Sequence, residues 1–213
     1  MSIDSSAVLP GAIAGQLRSS ILSGQDAPGS SITEAAVALR FGVARPTARI
    51  AIERLVADGL LRREPHSAAR VPELTRDDIV DLFDNRAIIE SAAMAALAAA
   101  GTIPAEALAA HRALVADEDF AEHDIAFHRS LVAGQPSPRL ARMHSLLMGE
   151  IELCIGQVQA AHLLSATEVA AQHQRILDAI TGGDAAEASR LTHDHIASSR
   201  DALLAHVDRT THG

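Results

Sequence analysis

The sequence predicts a mainly α chain in two units: a helical unit ending in a short β-ribbon over residues 1–74, and an antiparallel all-α bundle of about six helices over 75–213. Three observations predict it. Aromatic residues make up 2% of the chain and Trp and Tyr are absent, so Ala, Leu, Ile and Val must build the cores. Runs such as SAAMAALAAA then favour helix over strand. The 213-residue length suits two compact units. Charge also divides near Thr75: residues 1–75 hold eight Arg against seven acids, whereas 76–213 hold ten Arg against twenty acids, with no Lys anywhere.

A formal charge of −9 argues against nucleic-acid binding by the whole chain, but the near-neutral first unit escapes that argument. The single cysteine, Cys154, excludes an internal disulfide and reads as a small hydrophobe. The stretch MSIDSSAVLPG lacks a basic start and an apolar core, and no segment reaches the ~20 apolar residues of a membrane helix. A soluble, cytoplasmic protein with no membrane partner is expected.

In the first unit, Ile13, Leu17 and Ile21 fall at helical spacing before SGQDAPGS breaks the pattern. Thr33 then caps a helix carrying Val37, Leu39 and Phe41, and Gly42 ends it. A second helix runs from about Arg45 to Asp58, with Ala48, Ile52 and Leu55 as its inner face and Gly59 as its stop. Two helices joined by a short Gly-containing turn form a helix-turn-helix, whose second helix enters the DNA major groove through its N-terminal residues. Arg45 and Arg49 share a face away from Ile52 and Leu55, suited to phosphates or guanine edges; the alternative is that they only solvate that face. Leu60–Arg63 and Ala69–Val71 flank a Pro-His-Ser tip and read as a two-stranded wing. The expected double-stranded DNA contacts are Arg40, Arg45, Thr47, Arg49, His66 and Arg70.

ITEAAVALRFGVARPTARIAIERLVADGLL, followed by a wing ending ARV, resembles the winged helix-turn-helix of GntR-family transcription regulators. Glu34, Leu39, Gly42, Val43, Arg45, Arg49, Leu55, Gly59 and Leu60 match that pattern. Four features depart from it: Ala44 for a phosphate-binding Ser, a Pro46-Thr47 order, Ile50 for a Glu, and Ser67-Ala68 for the wing glycine.

In the second unit, Thr75 and Asp78 form a capping box before DDIVDLFDNRAIIESAAMAALAAA, and Ser165 with Glu168 forms another, with Leu164 as a staple. Further helices are expected at about 104–116, 118–133, 137–162, 166–181 and 184–208. In EHDIAFHRSL, Asp124 lies four residues before His128, so both look inward beside the apolar stripe. His173 lies eleven residues before Asp184 and His195 eleven after it, which in an antiparallel pair puts them at one height, roughly 16 Å from the turn. One carboxylate and three imidazoles suit a divalent transition metal: Zn, Ni, Mn or Fe. His123 and His193 fall on other faces and are expected in solvent.

FDNRAIIE, DIAFHRSLVAGQPSPRL and HQRILDAITGGDAAEASRLTHDHI resemble the FCD ligand-binding domain of the FadR-type branch of the GntR family. In metal-binding members those Asp and His positions hold the ion, and here all four are filled. The resemblance further implies that Arg86 fixes the carboxylate of a small organic acid effector; the alternative is a surface pair of Arg86 with Glu90. A ligand-responsive, homodimeric repressor at a DNA operator is therefore expected. The rival reading is a metal-dependent enzyme acting on a small hydroxy or keto acid, its N-terminal unit an interaction module. In a third reading the histidines sense the metal itself.

Overall fold

The protein is described by a computed structural model covering residues 10–116 and 120–211, and the expected helix start at 118 lies outside these residues. The chain divides into two compact units, residues 1–73 and 74–213.

The first unit contains α1 (Pro10–Leu22), β1 (Ser31–Ile32), α2 (Glu34–Phe41), α3 (Arg45–Ala57) and β2 (Ala69–Arg70). Thr33 caps α2 by accepting the Ala36 N–H at 3.1 Å. Gly42 ends α2 with φ 64°, a left-handed conformation that a Cβ would disfavour, and α3 starts three residues later. Ile13, Leu17 and Ile21 of α1 and Ala48, Ala51, Ile52 and Leu55 of α3 are all buried, and both α1 and α2 pack on α3. The helix-turn-helix expected from the sequence is present.

Two details differ from expectation. Leu39 does not join the core: it is 86% exposed, because two residues on from buried Val37 the helix has turned about 200°. The ribbon also has a different partner. β2 pairs antiparallel with β1, Ser31 opposite Arg70 and Ile32 opposite Ala69, while residues 60–63 supply only the bridge between Arg62 and Arg70. The consecutive residues Leu60 and Leu61 are 0% and 1% exposed, so this segment lacks the alternation that a half-buried strand requires.

Among the described residues the second unit has six helices: α4 (Arg76–Ala100), α5 (Ala105–Ala116), α6 (Phe120–Gly134), α7 (Pro138–Ala160), α8 (Ala166–Thr181) and α9 (Ala185–Thr211). Both capping boxes form, at Thr75 with Asp78 and at Ser165 with Glu168. Leu164 and Val169 enter one apolar cluster, as the staple requires. Helix α4 is central and packs on α6, α7, α8 and α9. Gly183, with φ 70°, turns the chain from α8 into α9, where Asp184 accepts the Glu187 N–H at 3.0 Å. Two apolar clusters fill the bundle, one around Met94, Leu97, Phe127 and Ile176, the other around Leu82, Phe83, Ile151 and Leu203. Among the described residues no single helix is long and apolar enough to cross a membrane.

Two glycine substitutions should act in opposite directions. A Cβ on Gly134 would run into the Pro104 ring, so Gly134→Ala should destabilise the bundle by about 1–3 kcal/mol. Gly15 sits in exposed helix with nothing within 4 Å of a Cβ, so Gly15→Ala should stabilise the first unit by about 0.5–1 kcal/mol. Urea denaturation, followed separately for each unit, measures both.

Candidate functional site

The outward face of α3 carries the expected DNA contacts unevenly. Arg45 is exposed, Thr47 is half-buried, and Arg49 is exposed but donates from Nε to Glu53 Oε1 at 2.7 Å. Arg40 turns away from this helix, pairing with Asp26 at 2.9 Å and donating to Ser20 Oγ at 2.9 Å, so it braces the end of α1. Arg70 is exposed, with Nη1 on the Gly29 carbonyl at 3.0 Å. His66 is exposed at the tip and itself adopts the left-handed conformation, φ 64°, so the tip turns one residue before the Ser67-Ala68 pair. Ala44 precedes α3 without a side-chain cap, as its methyl group dictates.

Inside the bundle, α6 contributes Asp124 and His128, α8 His173 and α9 His195, and all four are at most 3% exposed. One donor atom from each lies within 4.8 Å of all the others. His128 Nε2 is 3.2 Å from His173 Nε2 and 3.0 Å from His195 Nε2; Asp124 Oδ1 is 3.7, 3.2 and 3.9 Å from the same three nitrogens. The sequence expectation that three helices bring these residues to one point holds in the structure. His193 is exposed, as expected, whereas His123 is half-buried because α6 carries it at the edge of the packed face.

The partners behind the imidazoles decide what the cluster offers. His195 Nδ1 donates to Gln172 Oε1 at 2.6 Å, and His128 Nδ1 lies 2.6 Å from Glu90 Oε2, in ion-pair range though misaligned for a strict hydrogen bond. In the tautomer that puts the proton on Nδ1 of both rings, two Nε2 lone pairs face each other at 3.0 Å. Lone pairs so close and so buried call for a cation between them. Tetrahedral bonds of about 2.0 Å put donors roughly 3.3 Å apart, close to the separations here. Asp124 Oδ2, buried with no partner, adds an unsatisfied negative atom. The residues therefore fit a divalent transition metal, and a set of three N and one O suits Zn, Ni, Mn or Fe alike.

The electrostatics agree with that reading. Burial pushes the Asp124 carboxyl up, but its hydrogen bond with His173 and the neighbouring imidazoles outweigh this and hold it well below the usual carboxylate range. Burial drives His173 down to about 4, against the pull of Asp124, and lowers His195 well below an ordinary imidazole, reinforced by His173 and His128. Deprotonated nitrogens beside an ionised carboxylate are the ligand state a metal needs.

The sequence placed Arg86 on an inward face, but the burial of Glu90, His144 and His111 around the cluster was not foreseen. Arg86 and Glu90 are 1% and 0% exposed and joined at 2.8 Å, so the alternative of a surface pair is overturned: both lie on the inward stripe of α4 with Phe83, Ile89 and Ala93. His144 on α7 reaches Glu90 Oε1 at 2.9 Å, and its helical spacing with Met148, Ile151 and Ile155 is the signal that would have found it. His111, buried on α5, bonds Gln174 at 3.1 Å. Cys154 is buried, its thiol pushed up to about 12 by burial, and is chemically quiet.

Comparisons with known proteins bear on both units. Residues 81–198 match the FCD domain model, and residues 9–71 match the model of bacterial regulatory proteins of the gntR family. The "Probable D-xylose utilization operon transcriptional repressor" of Paenarthrobacter nicotinovorans is 26% identical over 179 residues, covering 80% of this chain and 77% of the relative. The HTH-type regulator BphR of Paraburkholderia xenovorans is 26% identical over 198 residues, covering 86% and 80%. Among solved structures, one from Rhodococcus sp. RHA1 assigned as a GntR transcriptional regulator superposes with TM-score 0.76 at 24% identity, covering 92% of this chain and 97% of that one. E. coli McbR/YncC superposes with TM-score 0.71 at 18% identity, covering 91% and 96%. With a helix-turn-helix unit and a helical bundle each matching its family model, the chain belongs to the GntR family of bacterial regulators that carry an FCD domain.

Proposed function

We propose that this regulator is a homodimeric repressor whose bundle holds a divalent transition metal on Asp124, His128, His173 and His195 and, beside it, a small organic acid on Arg86. One observation carries the reading: four buried donor atoms within 4.8 Å of one another, beside a buried guanidinium whose Nη1 has no partner. Leaving a buried N–H unsatisfied costs on the order of 1–3 kcal/mol, more for a charged group, so an anion at Nη1 recovers that cost. The ion polarises and orients a carboxylate; the chain supplies the donors, the Arg86 charge and the apolar walls.

Regulation follows from differential affinity. An acid that binds one packing of the bundle better than another shifts the balance between them, and a dimer converts that shift into a changed spacing of two α3 helices. Operator half-sites then lie about 34 Å apart, with Arg45 and Arg49 in the major groove and His66 and Arg70 at the wing. The assignment as a repressor draws support from the P. nicotinovorans relative, named as one. An enzymatic reading would need a free general base beside the ion. Glu90, the nearby acid, is already engaged by Arg86, His144 and His128.

Gel-shift assays with DNA from upstream of the protein's own gene test the regulator reading. Specific binding at moderate salt is expected, and Arg45→Ala should weaken it by roughly 10-fold or more, about 1–3 kcal/mol. Absence of specific binding with and without metal and acids would refute it.

Thermal melting tests the metal. Adding Zn2+ or Ni2+ should raise the melting temperature of wild type, and His173→Ala should abolish that rise. Acid should act on the metal-free protein with a definite sign. The folded value of His173, about 4, lies below its ordinary 6.5, so the unfolded chain takes up the proton first. Stability of the metal-free protein should therefore fall as pH drops from 6.5 towards 4, and a flat profile across that window would contradict the neutral, buried assignment of His173.

A further inference from the structure

Glu90 lies outside the four proposed ligands yet touches three groups that bear on them. Its Oε1 accepts from Arg86 Nε at 2.8 Å and from His144 Nε2 at 2.9 Å, while its Oε2 stands 2.6 Å from His128 Nδ1. The four side chains are between 0% and 3% exposed and come from α4, α6 and α7. An acid so deeply buried is retained only where its partners compensate for its desolvation. Arg86 and then His128 do so, and they hold it well below the usual carboxylate range despite burial.

We propose that Glu90 is the positioning residue of the centre and its link to Arg86: Oε2 holds His128 with its proton on Nδ1, leaving Nε2 bare, while Oε1 makes metal affinity depend on Arg86. The inference rests on the metal-centre reading above and adds a regulatory connection to it. A cation at Nε2 makes the Nδ1 proton more acidic and strengthens its attraction to Oε2, 2.6 Å away. Arg86 draws on the same carboxylate from the other oxygen. An anion that takes up the Arg86 charge releases Glu90 towards His128, so the ion is held more tightly. By reciprocity the ion then raises affinity for the anion by the same factor. Metal and acid are coupled through one carboxylate, in addition to any direct contact between them.

The test uses metal alone, with no organic acid. Zn2+ affinity is measured by competition with a chromophoric chelator on four full-length proteins: wild type, Arg86→Gln, Glu90→Gln and the double variant. Glu90→Gln is expected to weaken binding by about 10–100-fold. Arg86→Gln is expected to tighten it several-fold, since the acid is freed for His128. In the double variant that tightening should disappear, leaving affinity within about 3-fold of Glu90→Gln, the signature of two residues acting in series. An Arg86→Gln effect of equal size in both backgrounds would mean that the charge acts through space, and would overturn the proposal. So would a Glu90→Gln protein that binds like wild type. If wild type itself binds no metal, the metal-centre reading fails instead. Each single variant leaves a buried charge unpaired, so folding is checked by melting. Long-range 15N–1H spectra of metal-free wild type need no variant: His128 is expected protonated on Nδ1, and protonation on Nε2 would overturn the proposal.

Discussion

The bundle is organised around a conflict between burial and charge. Its walls are Ala, Leu, Ile, Val and a few Phe, yet Arg86, Glu90, Asp124, His128, His144, His173 and His195 all sit inside with 3% exposure or less. Such groups cost several kcal/mol each to desolvate unless they compensate one another. Arg86 against Glu90 is one compensation. The cluster of three Nε2 atoms and Asp124 is internally incomplete, because Asp124 Oδ2 is buried with no partner. The rest of the unit reads as the frame that keeps this arrangement in place. The α8–α9 hairpin sets His173 and His195 at one height, Gln172 bonds His195 Nδ1, and Glu90 Oε2 stands 2.6 Å from His128 Nδ1.

Local signals in the chain translated directly into structure. Thr33, Thr75 and Ser165 each cap the helix foreseen for them, and Gly42 and Gly101 end helices in the left-handed conformation. The i,i+4 spacing of Asp124 and His128 put both on one face of α6, and the equal distances of His173 and His195 from the turn put those two at one height, because helix geometry fixes each relation; that the two pairs meet was implied by the family resemblance. What depends on which elements meet was not legible. No local pattern states that Glu90 on α4 faces His144 on α7 and His128 on α6, so its burial was missed while its spacing from Arg86 was noted. The partner of β2 was missed for the same reason: β1 is two residues long and carries no periodic signature. Leu39 shows a different failure, apolar type taken for burial where helical phase points it outward.

The two units divide the labour in a way their chemistry explains. The first buries Ala48, Ala51, Ile52 and Leu55 on one side of α3 and leaves Arg45 and Arg49 exposed on the other, where the proposed DNA contact needs no internal rearrangement. The second buries Arg86, Glu90 and Asp124 in its interior, where charge–charge interactions are strong and poorly screened. Interior charge is costly to stability, and the proposed anion at Arg86 would offset part of that cost. Ile50, 54% exposed on α3 between Arg49 and Glu53, is an apolar surface residue where the GntR pattern has a Glu.

The central claim is that Asp124, His128, His173 and His195 enclose a metal ion. Diffraction from crystals of the purified protein, recorded on both sides of the X-ray absorption edge of the metal detected in the sample, tests it most directly. One strong anomalous peak per chain is expected, about 2 Å from each of the four donor atoms. A clean map at that point, from protein given Zn2+ or Ni2+ at neutral pH, would contradict it.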